Sequence, residues 1–139
     1  RKYEDYPTKF ISNVCCKAIQ NVGLSMRQNV YFDYLWVEDF CRMIEFFLEK
    51  QPQYHTYNMV SGTRISLKEI CDIVRKISGR ELPVYVCREG TANEYTASNE
   101  RFRKECPDFV YTAPEVAIER LYRWYEQNEE QIDLYRLLY

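Results

Sequence analysis

The stretch Tyr31-Phe32-Asp33-Tyr34-Leu35-Trp36, running without a break into the segment 37–48, constrains this chain more than any other. Its first half is aromatic and branched, as in a strand that packs on both sides. Its second half changes period. Val37, Phe40, Cys41, Ile44, Phe47 and Leu48 recur at spacings of three and four, which draws one apolar stripe on a helix. Glu38 and Asp39 fall in the first turn of that helix and face the positive end of its dipole. A strand handing over directly to a helix is the texture of an α/β fold.

The remaining segments alternate in the same way. After a charged, aromatic loop over residues 1–9, a helix can start at Thr8. Its stripe is Phe10, Ile11, Val14, Cys15, Ala18 and Ile19, and Gly23 is expected to end it. Residues 24–28 are a short extended piece, and residues 31–36 a strand. The helix from Val37 runs to Gln51-Pro52, and residues 54–60 read as a second strand. Ser66-Leu67-Lys68-Glu69 has the form of a capping box. The helix it opens carries Leu67, Ile70, Cys71, Ile73, Val74 and Ile77 inward and stops at Gly79. Residues 83–87 are a third strand, left through an Arg88-Glu89-Gly90 loop, and residues 99–106 a short charged helix ended by Pro107. Thr112-Ala113-Pro114-Glu115 predicts a second capping box. The last helix has Val116, Ile118, Leu121, Tyr122, Trp124 and Tyr125 on its buried side.

At 139 residues the chain is one domain or a piece of one, and an apolar content of 46% supports a real core. A net charge of −2 argues against a nucleic-acid partner, and no apolar run reaches the roughly 18 residues a membrane span needs. The opening Arg1-Lys2-Tyr3-Glu4-Asp5 is unlike a secretory leader, and without an initiator Met it suggests a processed or truncated product. The cysteines at 15, 16, 41, 71, 87 and 106 include no CxxC pair, so a zinc site is not expected. Reduced, mostly buried thiols in a cytoplasmic protein are the expectation. There is no Gly-rich phosphate loop of the GxGxxG or GxxxxGK type.

Five segments, in order, resemble the C-terminal half of the extended short-chain dehydrogenase/reductases, the NAD-dependent nucleotide-sugar epimerases and dehydratases. They are Phe32-Asp33-Tyr34-Leu35-Trp36-Val37-Glu38-Asp39, Tyr57-Asn58-Met59-Val60-Ser61-Gly62, Ser66-Leu67-Lys68-Glu69, Arg88-Glu89-Gly90, and the closing helix from Thr112 to Trp124. The resemblance implies that residues 1–139 are the substrate-binding C-terminal lobe of a Rossmann-type enzyme, α/β, with few short strands and several helices. It also implies that the N-terminal dinucleotide-binding half lies outside this chain. The family's Tyr-x-x-x-Lys pair does not occur: Tyr3, Tyr6 and Tyr54 are followed at that spacing by Pro7, Phe10 and Asn58. NAD or NADP would then belong to the full-length parent, an expected homodimer, with none bound by this portion. The partner on this lobe would be a nucleotide-diphosphate sugar. A non-catalytic nucleotide-sugar-binding or protein-interaction module of the same fold is the alternative.

Such a ligand needs cations for two phosphates and an apolar slot for its base. The resemblance puts Arg88 at a phosphate. Where the family has a second arginine, this chain has Phe32, so Arg27, with Gln28, is the expected substitute. Lys9 is placed at a phosphate or sugar hydroxyl, and Phe10 at the base or in the core. Asn58 is expected to bridge backbone segments and Asp33 to be a satisfied structural carboxylate. His55, the one histidine, has no Asp or Ser nearby to make it a general base, and no catalytic residue is expected in this chain.

Overall fold

A computed structural model describes residues 5–138. The first helix, α1 (Phe10–Ile19), starts two residues after the expected Thr8 and buries Val14, Cys15, Ala18 and Ile19. Asn21, not Gly23, turns the chain out of it. Asn21 takes the left-handed turn at φ 55°, a conformation Asn tolerates, and Val22 N–H donates to the Lys17 carbonyl at 2.8 Å. Gly23 serves close packing instead, since a Cβ there would lie 2.7 Å from the Tyr85 ring. The Arg80 guanidinium donates to the Ala18 and Ile19 carbonyls at the end of α1.

Strand β1 (Leu24–Asn29) pairs in parallel with β4 (Val84–Thr91), and β2 (Tyr31–Asp33) pairs antiparallel with β3 (Arg64–Ser66). The 31–36 strand is therefore half its expected length, because β3 offers only three partners: Ser66, Ile65 and Arg64. Arg88-Glu89-Gly90 is not a loop but part of β4. Gly90, at φ 78°, absorbs a register shift between Gln28↔Arg88 and Asn29↔Thr91. Residues 53–60 form no strand, since no described strand lies alongside to complete a ladder.

The helix α3 (Leu67–Ser78) keeps both ends as expected. Glu69 N–H donates to Ser66 Oγ and Ser66 N–H to the Glu69 carboxylate, while Gly79 closes the helix at φ 65°. With α1, α5 (Pro114–Gln127) and α6 (Leu134–Leu138) it encloses the main core against β1. Lys17 lies in that core and donates to Ser25 Oγ at 2.9 Å. Burial pushes its pKa below the ordinary lysine value, against a smaller opposing pull from Cys71. The ammonium thus costs the folded state free energy at neutral pH, a cost that fades as pH rises through the folded pKa towards the ordinary one. Lys17→Met is expected to stabilise the chain by about 1 kcal/mol at neutral pH, with less gain in alkali. Thermal melting of the two forms checks this; a lower midpoint for Lys17→Met would mean the bond to Ser25 outweighs burial.

A second, smaller core lies on α2 (Val37–Glu49), whose inner side carries Met43, Phe46 and Phe47. Phe46 and Phe47 meet Phe102 of α4 (Glu100–Glu105), and Tyr57 packs its ring on Phe47. The expected stripe therefore divides in two. Phe47 turns inward, while Val37, Phe40, Cys41, Ile44 and Leu48 face outward, with Phe40 42% and Leu48 81% exposed. Cys15, Cys16 and Cys71 are buried, but Cys41 and Cys87 are exposed, against the expectation for Cys41. Val116, expected inside, is also exposed. None of the helices is long and apolar enough to cross a membrane among the described residues.

Two carboxylates join the cores. Asp33 accepts from Ser61 N–H, Ser61 Oγ and Gly62 N–H at 2.7–2.8 Å, the structural role expected of it. Asp39, 1% exposed, accepts from Thr112 N–H at 2.7 Å, Thr112 Oγ1 at 2.9 Å and Arg42 at 2.6 Å. That hydroxyl is the one the predicted second capping box requires. It donates to Asp39 instead, and α5 begins at Pro114 with no side-chain cap.

Candidate functional site

The parallel β1–β4 ladder sets Gln28 directly opposite Arg88. Partners in register project to the same face, so these two side chains share one side of the ladder, and Arg27 alternates to the other. The Gln28 amide donates to the Glu89 carbonyl at 2.9 Å, which fixes it beside the bulge. Arg88 and Arg27 are exposed.

What distinguishes these two arginines is their lack of partners. Arg42, Arg64, Arg75, Arg80, Arg101, Arg103, Arg120, Arg123 and Arg136 each hold a carbonyl, a hydroxyl or a carboxylate. Among the described residues only Arg27 and Arg88 hold none, and they lie on neighbouring strands. An exposed guanidinium with five unused donors is a ready partner for an anionic oxygen.

Lys9 and Phe10 lie elsewhere, at the mouth of an apolar cleft of about 540 Å³ that also takes in Tyr34, Trp36, Val37 and Ala117. Lys9 is exposed; Phe10 is half-buried and packs on the main core, the structural one of its two expected placements. Burial pushes the Tyr34 phenol up to about 12, which keeps it a neutral hydrogen-bonding group at ordinary pH. Neither Gln28 nor the two arginines line this cleft, so the five expected site residues fall into two groups.

Sequence reasoning missed Ser12, which also lines the cleft. The signal was present: Ser12, Cys15, Cys16 and Ile19 recur at i, i+3, i+4 and i+7, and all are buried. A second hollow, about 340 Å³, is polar but already satisfied internally. Asn58 donates to the Ser98 carbonyl, as expected of a bridging residue, Asn99 donates to the Ser61 carbonyl, and Arg101 holds Thr56. His55 is exposed nearby, in an irregular segment. No group of His, Cys, Asp and Glu suited to a metal occurs among the described residues.

No family model matches the sequence, and no curated protein matches it. Solved structures do. The dTDP-glucose 4,6-dehydratase of Bacillus anthracis, solved with NAD, superposes with a TM-score of 0.74 at 24% identity, covering 91% of this chain and 42% of its own. The GDP-L-fucose synthetase of Naegleria fowleri gives 0.72 at 18% identity, with 88% and 40% covered. The Bordetella bronchiseptica enzyme WbmG, solved with NAD and UDP, gives 0.71 at 16%, with 87% and 39% covered. The chain spans about two fifths of the length of these neighbours. Nearly all of it thus has the fold of one part of these epimerase, dehydratase and synthetase structures, α/β with few short strands and several helices.

Proposed function

We propose that this chain is the substrate-holding lobe of an NAD(P)-dependent epimerase or dehydratase acting on a nucleotide-diphosphate sugar. Hydride transfer and the acid/base pair would reside in a nucleotide-binding half of the same polypeptide. The observation that carries the reading is the pair of uncommitted arginines on the β1–β4 ladder, within a fold shared with enzymes of that kind. Arg88, with Gln28 on its face, takes the diphosphate; Arg27 adds charge from the other side of the ladder. Lys9 and Phe10 serve the rim nearer the sugar or base. The lobe binds and orients its ligand and leaves the chemistry to the cofactor half.

Calorimetric titration with UDP-, GDP-, CDP- and dTDP-sugars tests this. One of them is expected to bind. Arg88→Ala is expected to weaken that binding roughly tenfold to a hundredfold, the loss of a charge-assisted hydrogen bond. Equal affinity in the variant would remove Arg88 from the phosphate site.

A further inference from the structure

The start of α1 has no cap of its own. Lys9 occupies the N-cap position, no side chain closes the first turn, and no acidic residue lies in that turn. Helix ends without caps fray. Here the preceding turn holds the end from outside. The Thr8 and Lys9 N–H groups both donate to the Asp5 carbonyl, at 3.0 and 3.1 Å, and the Asn13 side-chain amide donates to the Pro7 carbonyl at 3.1 Å. That turn is in turn anchored by a distant segment. The Tyr6 hydroxyl accepts from Asp133 N–H at 2.8 Å, 127 positions along the chain. The Tyr6 ring packs edge-on against Tyr125 of α5, with centroids 6.3 Å apart, and the Arg136 guanidinium lies 5.6 Å from its centre. Arg136 also reaches Asp5 at 3.3 Å, an exposed pair that adds little. The anchor is firm although α6 is short. Leu137 is 5% exposed in the main core, and the Asp133 carboxylate accepts from the N–H groups of Tyr135 and Arg136.

Resting on the reading that Lys9 serves a nucleotide-diphosphate sugar at the cleft mouth, we propose that Tyr6 is a positioning residue for Lys9, latched by residues 132–138. Leu137 fixes α6 in the core, the segment around α6 presents Asp133 N–H and Arg136 to Tyr6, and Tyr6 holds the turn that sets Lys9 on the rim of the cleft. Lys9 is exposed, and its ammonium has no partner among the described residues, so the backbone alone decides where that charge sits. A point charge on a flexible four-carbon stem meets an anionic oxygen only as well as its backbone is placed. When the turn is loose, the ligand binds only the latched fraction, and the apparent affinity falls by that fraction. Tyr6 does not line the cleft, so it acts through Lys9 and not on the ligand.

A double-variant cycle tests the latch, with calorimetric titration of the chain by UDP-, GDP-, CDP- and dTDP-glucose. Lys9→Ala is expected to weaken binding of the accepted probe about tenfold, the loss of one charge-assisted hydrogen bond. Tyr6→Ala is expected to weaken it about fivefold or more. Tyr6→Phe keeps the ring against Tyr125 and loses only the bond from Asp133. It should weaken binding about threefold, and it carries the same cycle where the alanine form does not fold. In the Lys9→Ala background either Tyr6 variant should change affinity by less than about twofold. The fall in affinity between about 20 and 200 mM salt should flatten in Lys9→Ala and in the Tyr6 variants, since all of them take the same charge from the ligand. A tyrosine that only stabilised the fold would lower the melting temperature, keep the parent's salt dependence and give losses that add. Additive losses, or the parent's salt dependence in the Tyr6 variants, overturn the latch. So does unchanged affinity in the Lys9 or Tyr6 variants while Arg88→Ala weakens binding, a result that leaves the lobe reading intact. Failure of the parent chain to bind any of the four probes removes both.

Discussion

Replacing Phe102 with alanine is expected to cost about 3–5 kcal/mol, since it is the bulkiest of the fully buried side chains among the described residues. Phe102 is 1% exposed and its ring lies 5.5 Å from Phe46, 5.7 Å from Phe47 and 5.1 Å from Phe109. It is the only fully buried residue of α4, a helix of six residues with no side-chain bond at its N-cap. A helix so short has little stability of its own, so packing through Phe102 holds it in place. The same cluster holds Tyr57, whose hydroxyl donates to the Glu105 carboxylate, and with it the irregular segment 53–60. Phe102 does not belong to the main core around α1, α3 and α5. Hydrogen exchange in Phe102→Ala should therefore lose protection first in α4 and α2, while α3 keeps its own. Phe102→Leu, which retains most of the volume, should cost roughly 1.5 kcal/mol or less. A loss below about 1 kcal/mol for the alanine form in urea denaturation would show that the aromatic cluster collapses around the gap.

The elements legible in the sequence are those whose signals are local. The Ser66–Glu69 box and Gly79 bracket α3 because capping is decided within one turn, and the stripes of α1 and α5 reflect burial against neighbouring helices. Where a distant partner decides, local signals mislead. Thr112 has the form of a cap, but its hydroxyl goes to a carboxylate 73 positions away. Gly90 looks like a loop residue, yet it is the bulge that lets β4 continue beside β1. Residues 54–60 have a strand's composition without a neighbouring strand. The α2 stripe shows that a face is apolar without showing which side is covered, so Leu48 and Phe47 look alike in the sequence and part company in the fold. The same limit applies to the site. Arg88 and Arg27 were nameable from motif and neighbourhood, but their freedom from partners and the Gln28↔Arg88 register exist only once β1 and β4 are paired. That Ser12 Oγ and Trp36 Nε1 lack hydrogen-bond partners is invisible in the sequence, because an orphaned polar atom is a property of the surroundings, not of the residue.

Removing the Asp39 carboxylate is expected to cost about 3 kcal/mol and to change how the protein responds to acid. Burial alone would push this carboxyl up. The hydrogen bonds from Arg42 and from both donors of Thr112, with the Arg42 charge, outweigh it and hold the pKa below the ordinary carboxylate value. Arg42 is partly exposed and also holds the Val110 carbonyl, so in Asp39→Ala it can return to water. Thr112 has less room to recover, since its N–H and hydroxyl both lose their acceptor at the start of α5. Most of the cost therefore comes from Thr112 and from the strut between the two cores. The depressed pKa fixes the sign of the pH dependence. In the unfolded chain Asp39 takes up a proton near pH 4, and in the folded chain only at lower pH. Its contribution is thus complete above the ordinary carboxylate range and is lost as pH falls through the folded value. Asp39→Asn preserves the shape and one acceptor and cannot titrate, so it should cost less than the alanine form, roughly 1–2 kcal/mol at neutral pH. Below about pH 4 its deficit against the parent should shrink, because the parent then loses its own advantage. Urea midpoints of the parent and Asp39→Asn between about pH 2 and 6 decide the matter, the range that brackets carboxylate titration. Parallel curves across that range would mean the carboxylate holds the two cores together by shape and hydrogen bonding, with no contribution from its charge.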